Sequence, residues 1–210
     1  MKTIELSEIG TGFHDISLGS QGAFRSALEA LSYPGRAVPL AVTFEAPKAA
    51  HASSSGLLLA LLEPGSRLWL SPSLINTDAA TWIVFHTDCK ITPHQHEADF
   101  AWIKNWDELP TLESFALGTD EYPDHSTTCV IDIATASQPW ATTSTLTLVG
   151  PGIAHTSTIG QLSATAAQLA GFVSQWAQNH ASFPRGVDVF FANDTGLIGL
   201  PRTTRIEISG

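Results

Sequence analysis

Charged side chains are scarce in this chain of 210 residues. They make up 14% of it, whereas hydrophobic residues make up 43%. Positively charged residues are the scarcer of the two kinds: 10 lysines and arginines stand against 20 aspartates and glutamates, which gives a net charge of −10. Because binding to a nucleic-acid backbone needs clustered Lys and Arg, the composition argues against a nucleic-acid partner. A surface with so few charges is typical of a protein that covers part of itself with another protein.

Long apolar runs are also lacking. The sequence has no run of about 18 apolar residues, so no transmembrane helix is expected. The segment from Met1 to Glu8 carries acidic residues where a secretory signal would be apolar, which predicts a cytoplasmic location. Only two cysteines are present, Cys89 and Cys129. We expect both to be reduced thiols in the core, because the cytosol disfavours structural disulfides.

The spacing of the apolar residues predicts alternating helices and strands. After a lead-in over residues 1–20, Phe24, Ala27, Leu28 and Leu31 have the spacing of one buried helix face. Further helices are predicted over residues 57–62, after a cap by residues 53–56, and over residues 77–87 and 161–180. Strands are predicted over residues 36–44 (with Pro39 indicating a sheet edge), 67–70, 89–92, 100–103, 127–134, 144–149, 187–192, 197–200 and 205–208. These elements predict a single α/β domain over residues 21–210, with a mixed β-sheet flanked by helices.

The densest group of possible metal ligands is His86, Cys89, His94 and His96, with Asp88, Glu97 and Asp99 beside them. A His-x-His pair on a strand turns both rings to one face, as in many zinc and iron sites. A solvated polar turn after Pro93 explains the same residues, and no second group of ligands has matching spacing. The sequence therefore predicts no metal, with this cluster as the alternative.

Pyridoxal phosphate would require a lysine placed to form a Schiff base. The chain has four lysines, Lys2, Lys48, Lys90 and Lys104. None is predicted to lie between a strand and the start of a helix that could hold phosphate. We expect all four at the surface and no pyridoxal phosphate.

Arginine gives the strongest indication of an anion site, because its guanidinium binds phosphate, phosphonate or carboxylate in a bidentate manner. The loop Arg202-Thr203-Thr204 is the strongest candidate, since it offers a guanidinium and two hydroxyls after a strand that Pro201 ends. Arg25, Arg36 and Arg185 are further candidates. The alternative for all of them is ion pairing with Asp and Glu, or a place in a subunit interface.

Several motifs also match a known family in order along the chain. They are Phe24-Arg25 followed by Leu31-Ser32, Pro34 and Gly35; Phe85-His86-Thr87; Gly118-Thr119; residues 146–148 leading to Gly150 and Gly152; Phe183-Pro184-x-Gly186-Val187-Asp188; and Leu200-Pro201-Arg202-Thr203-Thr204. Together they resemble the H subunit of the bacterial carbon–phosphorus lyase system for phosphonate breakdown. The motif at residues 183–204 is the most specific of them.

This resemblance implies a fold related to the pyridoxal-phosphate transferases, without the cofactor. It also implies a homodimer in isolation and a core complex with the G, I and J subunits. With these partners, the system is understood to displace adenine from MgATP by an alkylphosphonate, giving a ribose 1-phosphonate 5-triphosphate. The motifs carry no catalytic residue for this subunit, which favours a scaffolding role. The alternatives are an anion-binding enzyme that acts through Arg202-Thr203-Thr204, and a metal-dependent enzyme that uses His86, His94 and His96.

Overall fold

A computed structural model of the chain describes residues 9–133, 145–160 and 162–207. Helices and strands are interspersed along these residues. The helices are α1 (Ile16–Ser32), α2 (Ala52–Leu61), α3 (Pro72–Ile75), α4 (Asp78–Thr87) and α5 (Ala166–Ala181). The strands are β1 (Ala37–Pro39), β2 (Arg67–Leu70), β3 (Lys90–Ile91), β4 (Phe100–Ile103), β5 (Thr128–Asp132), β6 (Leu146–Val149), β7 (Ser157–Ile159), β8 (Asp188–Ala192), β9 (Gly196–Leu200) and β10 (Arg205–Glu207).

The main sheet has seven strands in the order β1-β9-β8-β5-β4-β2-β3. From β3 to β8 the neighbouring strands are parallel, whereas β9 and β1 are antiparallel to their neighbours. The predicted mixed sheet is therefore confirmed. Strand β5 lies at its centre, with Cys129 paired to Ala101 on one side and Val189 on the other. Pro39 lies on edge strand β1, where a missing backbone donor is tolerated.

A second, smaller sheet was not predicted. It is antiparallel, in the order β10-β6-β7. The sequence predicts β6 and β10 as strands but places them in one sheet with the others. It predicts no strand at Ser157–Ile159, because three residues with two polar side chains give no clear alternation.

The two faces of the main sheet are buried in separate cores, because successive side chains of a strand point to opposite faces. Val130 and Phe190 belong to the core that includes α1, α2 and α4. Ile131 and Phe191 belong to the core formed with α5 and the second sheet. The main sheet thus has helices on both faces, which accounts for the apolar character of β5 and β8.

The predicted buried face of α1 is only partly right. Ala27 is buried and Leu31 is half-buried against the core, but Phe24 and Leu28 are 48% and 49% exposed. The other side chains that α1 buries are those of Ala23 and Ala30. The reason is the close approach of α1 to β9. A Cβ atom on Gly199 would lie 2.5 Å from the backbone oxygen of Ala30, so only small side chains fit between the helix and the strand.

Helix ends also differ from the predictions. Helix α1 begins at Ile16, inside the predicted lead-in, because the carboxylate of Asp15 accepts a hydrogen bond from the amide of Leu18. The serines at residues 53–55 lie inside α2 rather than capping it. Helix α5 begins at Ala166 rather than at residue 161, after a capping box of Thr165 and Gln168. The sequence allows either Asn76 or Thr77 to cap α4, and the structure shows that Thr77 does so. None of the helices in the described residues is long and apolar enough to cross a membrane.

Candidate functional site

Arg202 follows strand β9 and lies against the amino ends of β5 and β8. Its Nε and Nη2 atoms donate to the Asp188 carboxylate at 3.2 and 2.6 Å. Nη2 also donates to the hydroxyl of Ser126 at 2.6 Å, and Nη1 donates to the backbone oxygens of Pro123 and Pro184 at 2.9 and 3.4 Å. A guanidinium has five N–H donors. All of those on Arg202 are therefore used within the protein.

The rest of the predicted anion loop is also held by backbone contacts. The amide of Thr204 donates to the oxygen of Pro201, and the oxygen of Thr204 accepts from Nε1 of Trp176, both at 2.8 Å. The hydroxyl of Thr204 is buried and has no hydrogen-bond partner within the described residues. Thr203 is half-buried, and its backbone lies against Gly150, which directly follows β6 of the second sheet. The loop thus joins α5 to the second sheet.

The other candidate arginines do not gather around this loop. Arg36 pairs with Glu29 at 3.4 Å and lies over the ring of Tyr33. Arg185 pairs with Asp120 at 3.2 Å at the surface. Arg25 is exposed on α1. Arg36, Arg185 and Arg202 therefore pair with three different acidic residues, and the candidate arginines do not form one anion site.

The candidate metal ligands do not form a metal site within the described residues. Nε2 of His86 lies 2.9 Å from the oxygen of Gly10, and its ring packs edge-on against Trp82. The rings of His94 and His96 lie 5.7 Å apart beside a short 3-10 turn. Across residues 9–133, 145–160 and 162–207, no three His, Cys, Asp or Glu side chains are placed to hold a metal ion.

A polar cluster that the sequence analysis missed lies at the carboxyl edge of the parallel strands. Lys104 follows β4, Asp132 ends β5, and Asp194 comes shortly after β8. The Asp132 side chain is fully buried, and its Oδ1 accepts from Nε1 of Trp102 at 3.3 Å. Its Oδ2 accepts from the amide of His51 at 3.3 Å and lies 3.8 Å from Nζ of Lys104. Open α/β sheets commonly bind ligands at this edge.

His51 precedes α2 and connects the two carboxylates of this cluster. Its Nδ1 lies 2.8 Å from Oδ1 of Asp194. A carboxylate only accepts hydrogen bonds, so Nδ1 carries the hydrogen. In the neutral ring, Nε2 is then the acceptor.

The environment of Asp132 changes its acidity. Burial raises the pKa of Asp132, although the hydroxyl of Ser54 and the nearby His51 and Lys104 act in the opposite direction. Burial dominates because it disfavours the charged form of a carboxyl group more than these partners favour it.

A cavity of about 390 Å³ opens beside this cluster. Its lining includes His51, Lys104 and Asp132 from the strand edge, Asn105 and Asp107 from the segment after β4, and Gln168 from the first turn of α5. We call this space the edge cavity.

The structure corrects the expectation for one lysine. Lys104 was expected at the surface, but it comes directly after β4 and its side chain is half-buried. Its ammonium donates to the backbone oxygen of Ala49, close to Asp132. Lys90 is exposed as expected, and Lys2 lies outside the described residues. The signal that could have revealed the site is a charged residue directly at the end of a buried strand, which both Lys104 and Asp132 show.

Comparison with known proteins points to one family. The family model for PhnH, described as a bacterial phosphonate metabolism protein, matches residues 11–207. A protein of Rhizobium meliloti (strain 1021) named alpha-D-ribose 1-methylphosphonate 5-triphosphate synthase subunit PhnH is 34% identical over 204 residues, which cover 96% of this chain and 97% of that protein. A protein of Stutzerimonas stutzeri named putative C-P lyase subunit protein HtxG is 29% identical over 200 residues, which cover 90% and 87%. The resemblance carried by the sequence motifs is thus confirmed, and the chain belongs to the PhnH family of bacterial phosphonate metabolism proteins.

Proposed function

We propose that this chain is a subunit of the carbon–phosphorus lyase system and contributes to alpha-D-ribose 1-methylphosphonate 5-triphosphate synthase. The observation that carries this proposal is the 34% identity to a protein of that name along nearly the whole of both chains. The reaction we propose for the assembled complex is transfer of an alkylphosphonate to the ribose C1 of MgATP, with release of adenine. Its expected partners are the G, I and J subunits, in the cytoplasm.

Within that complex, we propose that the chain acts in assembly rather than in the chemical step. The hydrogen-bonded state of Arg202 supports this role, because a phosphonate would have to displace Asp188 or Ser126 to reach the guanidinium. The alternative, an anion-binding enzyme that acts through Arg202-Thr203-Thr204, is therefore less well supported. The homodimer and the relation to the pyridoxal-phosphate transferase fold remain predictions of the family resemblance.

The exposed side of α1 also supports an assembly role. Phe24 and Leu28 are 48% and 49% exposed in the single chain and lie one helical turn apart on the same side of α1. We call these two residues the α1 outer face. Large exposed apolar side chains that neighbour each other are typical of protein interfaces. We propose that a partner protein covers the α1 outer face in the assembled complex.

Co-expression with the G, I and J subunits tests this function. The measurements are co-purification and adenine release from MgATP and methylphosphonate in the presence of the L subunit. We expect the wild-type chain to co-purify and adenine release to require it. The double variant Phe24→Glu/Leu28→Glu should lower co-purification at least tenfold, whereas Ile91→Glu, an exposed apolar position on edge strand β3, should not.

Two outcomes would overturn the proposal in different ways. If the wild-type chain stays apart from the other subunits and adenine release is indifferent to it, the subunit role is wrong. If an Arg202→Ala variant keeps its stability and its place in the complex but abolishes adenine release, the anion-binding alternative is right.

A further inference from the structure

We propose that the edge cavity binds a small zwitterion, a molecule that carries one carboxylate and one ammonium group, such as an unbranched amino acid. The sequence motifs do not include this cavity, and the proposed assembly role does not require it. Two oppositely charged side chains of its wall, Lys104 and Asp107, carry the proposal. Within the described residues they are not paired with each other, since Lys104 faces Asp132 and Asp107 faces Gln168.

The position of the edge cavity favours a ligand site. It lies where β4 and β5 end and where helices α2 and α5 begin, so its walls belong to regular elements. Ligand sites in open α/β sheets lie at this edge, outside the carboxyl ends of the strands. Its volume of about 390 Å³ is within the usual range for small-molecule pockets.

The ammonium of Lys104 gives the cavity a cationic donor. Of its three N–H groups, one donates to the backbone oxygen of Ala49, and Oδ2 of Asp132 lies 3.8 Å from Nζ. At least one N–H is therefore left without a partner among the described residues, and the side chain is 32% exposed. The neighbouring Asn105 uses its Oδ1 for the amides of residues 107 and 108, so its side-chain NH₂ is a second donor. These donors match the two oxygens of a carboxylate.

The carboxylate of Asp107 gives the same cavity an anionic acceptor. Its Oδ1 accepts from Nε2 of Gln168 at 2.7 Å, and Oδ2 has no partner in the described part of the chain. His51 adds a neutral acceptor to the wall, because its Nδ1 is bound to Asp194 and its Nε2 then carries the lone pair. An ammonium group, which only donates, matches both acceptors.

The two charges together select a zwitterion over a simple anion or cation. A simple carboxylate would leave Asp107 without a cationic partner, and a simple amine would leave the free N–H of Lys104 unused. A ligand with both groups gains a charge-assisted hydrogen bond at each end. A dianion such as phosphate would bring a second negative charge near Asp132, and the described wall has no second lysine or arginine to offset it. Trp106 and Ile133 provide apolar surface for the carbon chain between the two groups.

Isothermal titration of the purified chain tests this inference with glycine, β-alanine and 4-aminobutanoate, which hold the two charged groups at increasing separations. We expect the tightest of the three to bind with a Kd below about 1 mM. The matched probes are the acid and the amine of the same length that each lack one charged group, butanoate and butylamine in the case of 4-aminobutanoate. Each matched probe should bind at least about fivefold more weakly, as expected for loss of a charge-assisted hydrogen bond.

Two variants locate the charges, and a third is the control. In Asp107→Asn, at an exposed residue, the zwitterion should bind no more tightly than the matched acid. In Lys104→Met it should bind no more tightly than the matched amine. Because Lys104 also lies beside buried Asp132, thermal denaturation first establishes that this variant is folded, and the Asp107→Asn comparison stands without it. Asp124→Asn makes the same charge change beside the amino end of β5, at the opposite edge of the sheet, and should leave the Kd unchanged.

Several results would overturn the inference. They are the absence of binding by all three zwitterions, equal affinity for the zwitterion and either matched probe, and a preference for the zwitterion over the acid that survives in Asp107→Asn. Inorganic phosphate that displaces the zwitterion at equal or lower concentration would show that the cavity is a general anion site. Each of these results would leave the subunit role untouched, because that role is tested by co-purification and turnover.

Discussion

Arg202 and Asp188 show how a motif residue can be structural. The two side chains are only 13% and 21% exposed, and their bidentate pair lies where β8 begins and β9 has ended. The same guanidinium binds two backbone oxygens and one hydroxyl from two other segments. One side chain therefore connects three parts of the chain at the amino edge of the sheet.

Replacing Arg202 by Ala should lower the free energy of unfolding by about 2–3 kcal/mol. The reason is that the largely buried Asp188 carboxylate would lose both guanidinium hydrogen bonds and keep only the one from the backbone amide of residue 202, as when one side of a buried ion pair is removed. Urea denaturation followed by circular dichroism measures the change. The control is Arg205→Ala, whose side chain is 64% exposed and 3.6 Å from Glu207, with an expected loss of about 0.5 kcal/mol or less. Equal losses for the two variants would contradict the structural role of Arg202.

Asp132 should make stability depend on pH. Because burial raises its folded-state pKa above the unfolded value, its favourable contribution is complete below about pH 4 and is lost as the pH rises through the folded-state pKa. Asp132→Asn does not titrate. Its free energy of unfolding, relative to the wild type, should therefore rise between pH 4 and pH 8. Urea denaturation at several pH values measures this, with Asp124→Asn as the control for net charge. A difference between Asp132→Asn and the wild type that is independent of pH would refute the expectation.

The roles of single residues could be predicted from the sequence only in part. The motif at residues 183–204 correctly indicated the family, because its order of residues is specific. The same residues suggested an anion site at Arg202, since sequence shows that a guanidinium is present but not which acceptors surround it. Asp188 was part of the motif, yet its contact with Arg202 depends on the pairing of β8 with β9.

At the scale of elements, α1 and β9 show how backbone distance decides which residues are buried. Apolar spacing favoured Phe24 and Leu28, but the helix lies so close to Gly199 that alanines occupy its inner face. The spacing of apolar residues locates a helix well because it follows the helical repeat of 3.6 residues. It identifies the buried side less well when small residues pack closely against a neighbouring strand and large apolar residues stay at the surface.

Gly199→Ala should therefore destabilise the protein by about 1–3 kcal/mol, as expected for overpacking. The new methyl group would meet backbone atoms of Ala30 and Leu31 at 2.5–2.8 Å, and backbone atoms cannot move aside easily. Gly171→Ala is the matched control, because Gly171 lies in α5 with nothing within 4 Å of an added Cβ. It should stabilise by about 0.5–1 kcal/mol through helix propensity. Thermal or urea denaturation of both variants measures the change in the free energy of unfolding, which should have opposite signs. A Gly199→Ala variant that is more stable than the wild type would contradict the close approach of α1 to β9.

At the scale of the whole molecule, the central sheet separates two cores and shields both cysteines. Cys129 lies on central strand β5 and is fully buried, and Cys89 is buried after α4. Both thiols are free, as predicted. Burial raises the pKa of both, which further lowers the fraction of reactive thiolate.

Neither thiol should react with Ellman's reagent in native buffer within minutes, and both should react in 6 M guanidinium chloride. Cys129 should be the slower of the two under mildly denaturing conditions, because exposing a central strand requires global unfolding. Labelling followed by mass spectrometry of peptides distinguishes the two positions. Rapid labelling of Cys129 in native buffer would contradict its place at the centre of the sheet.

The sequence by itself determined the α/β class, the existence of most helices and strands, and the family. Local spacing, proline and capping residues act within a few positions of the chain, and a specific motif can be recognised without coordinates. Only the tertiary structure decided the second sheet, the inner face of α1, the paired state of Arg202 and the edge cavity. Each of these depends on contacts between residues far apart in the chain, such as His51 with Asp194. Strand order and backbone approach create such contacts, and local sequence patterns do not encode them.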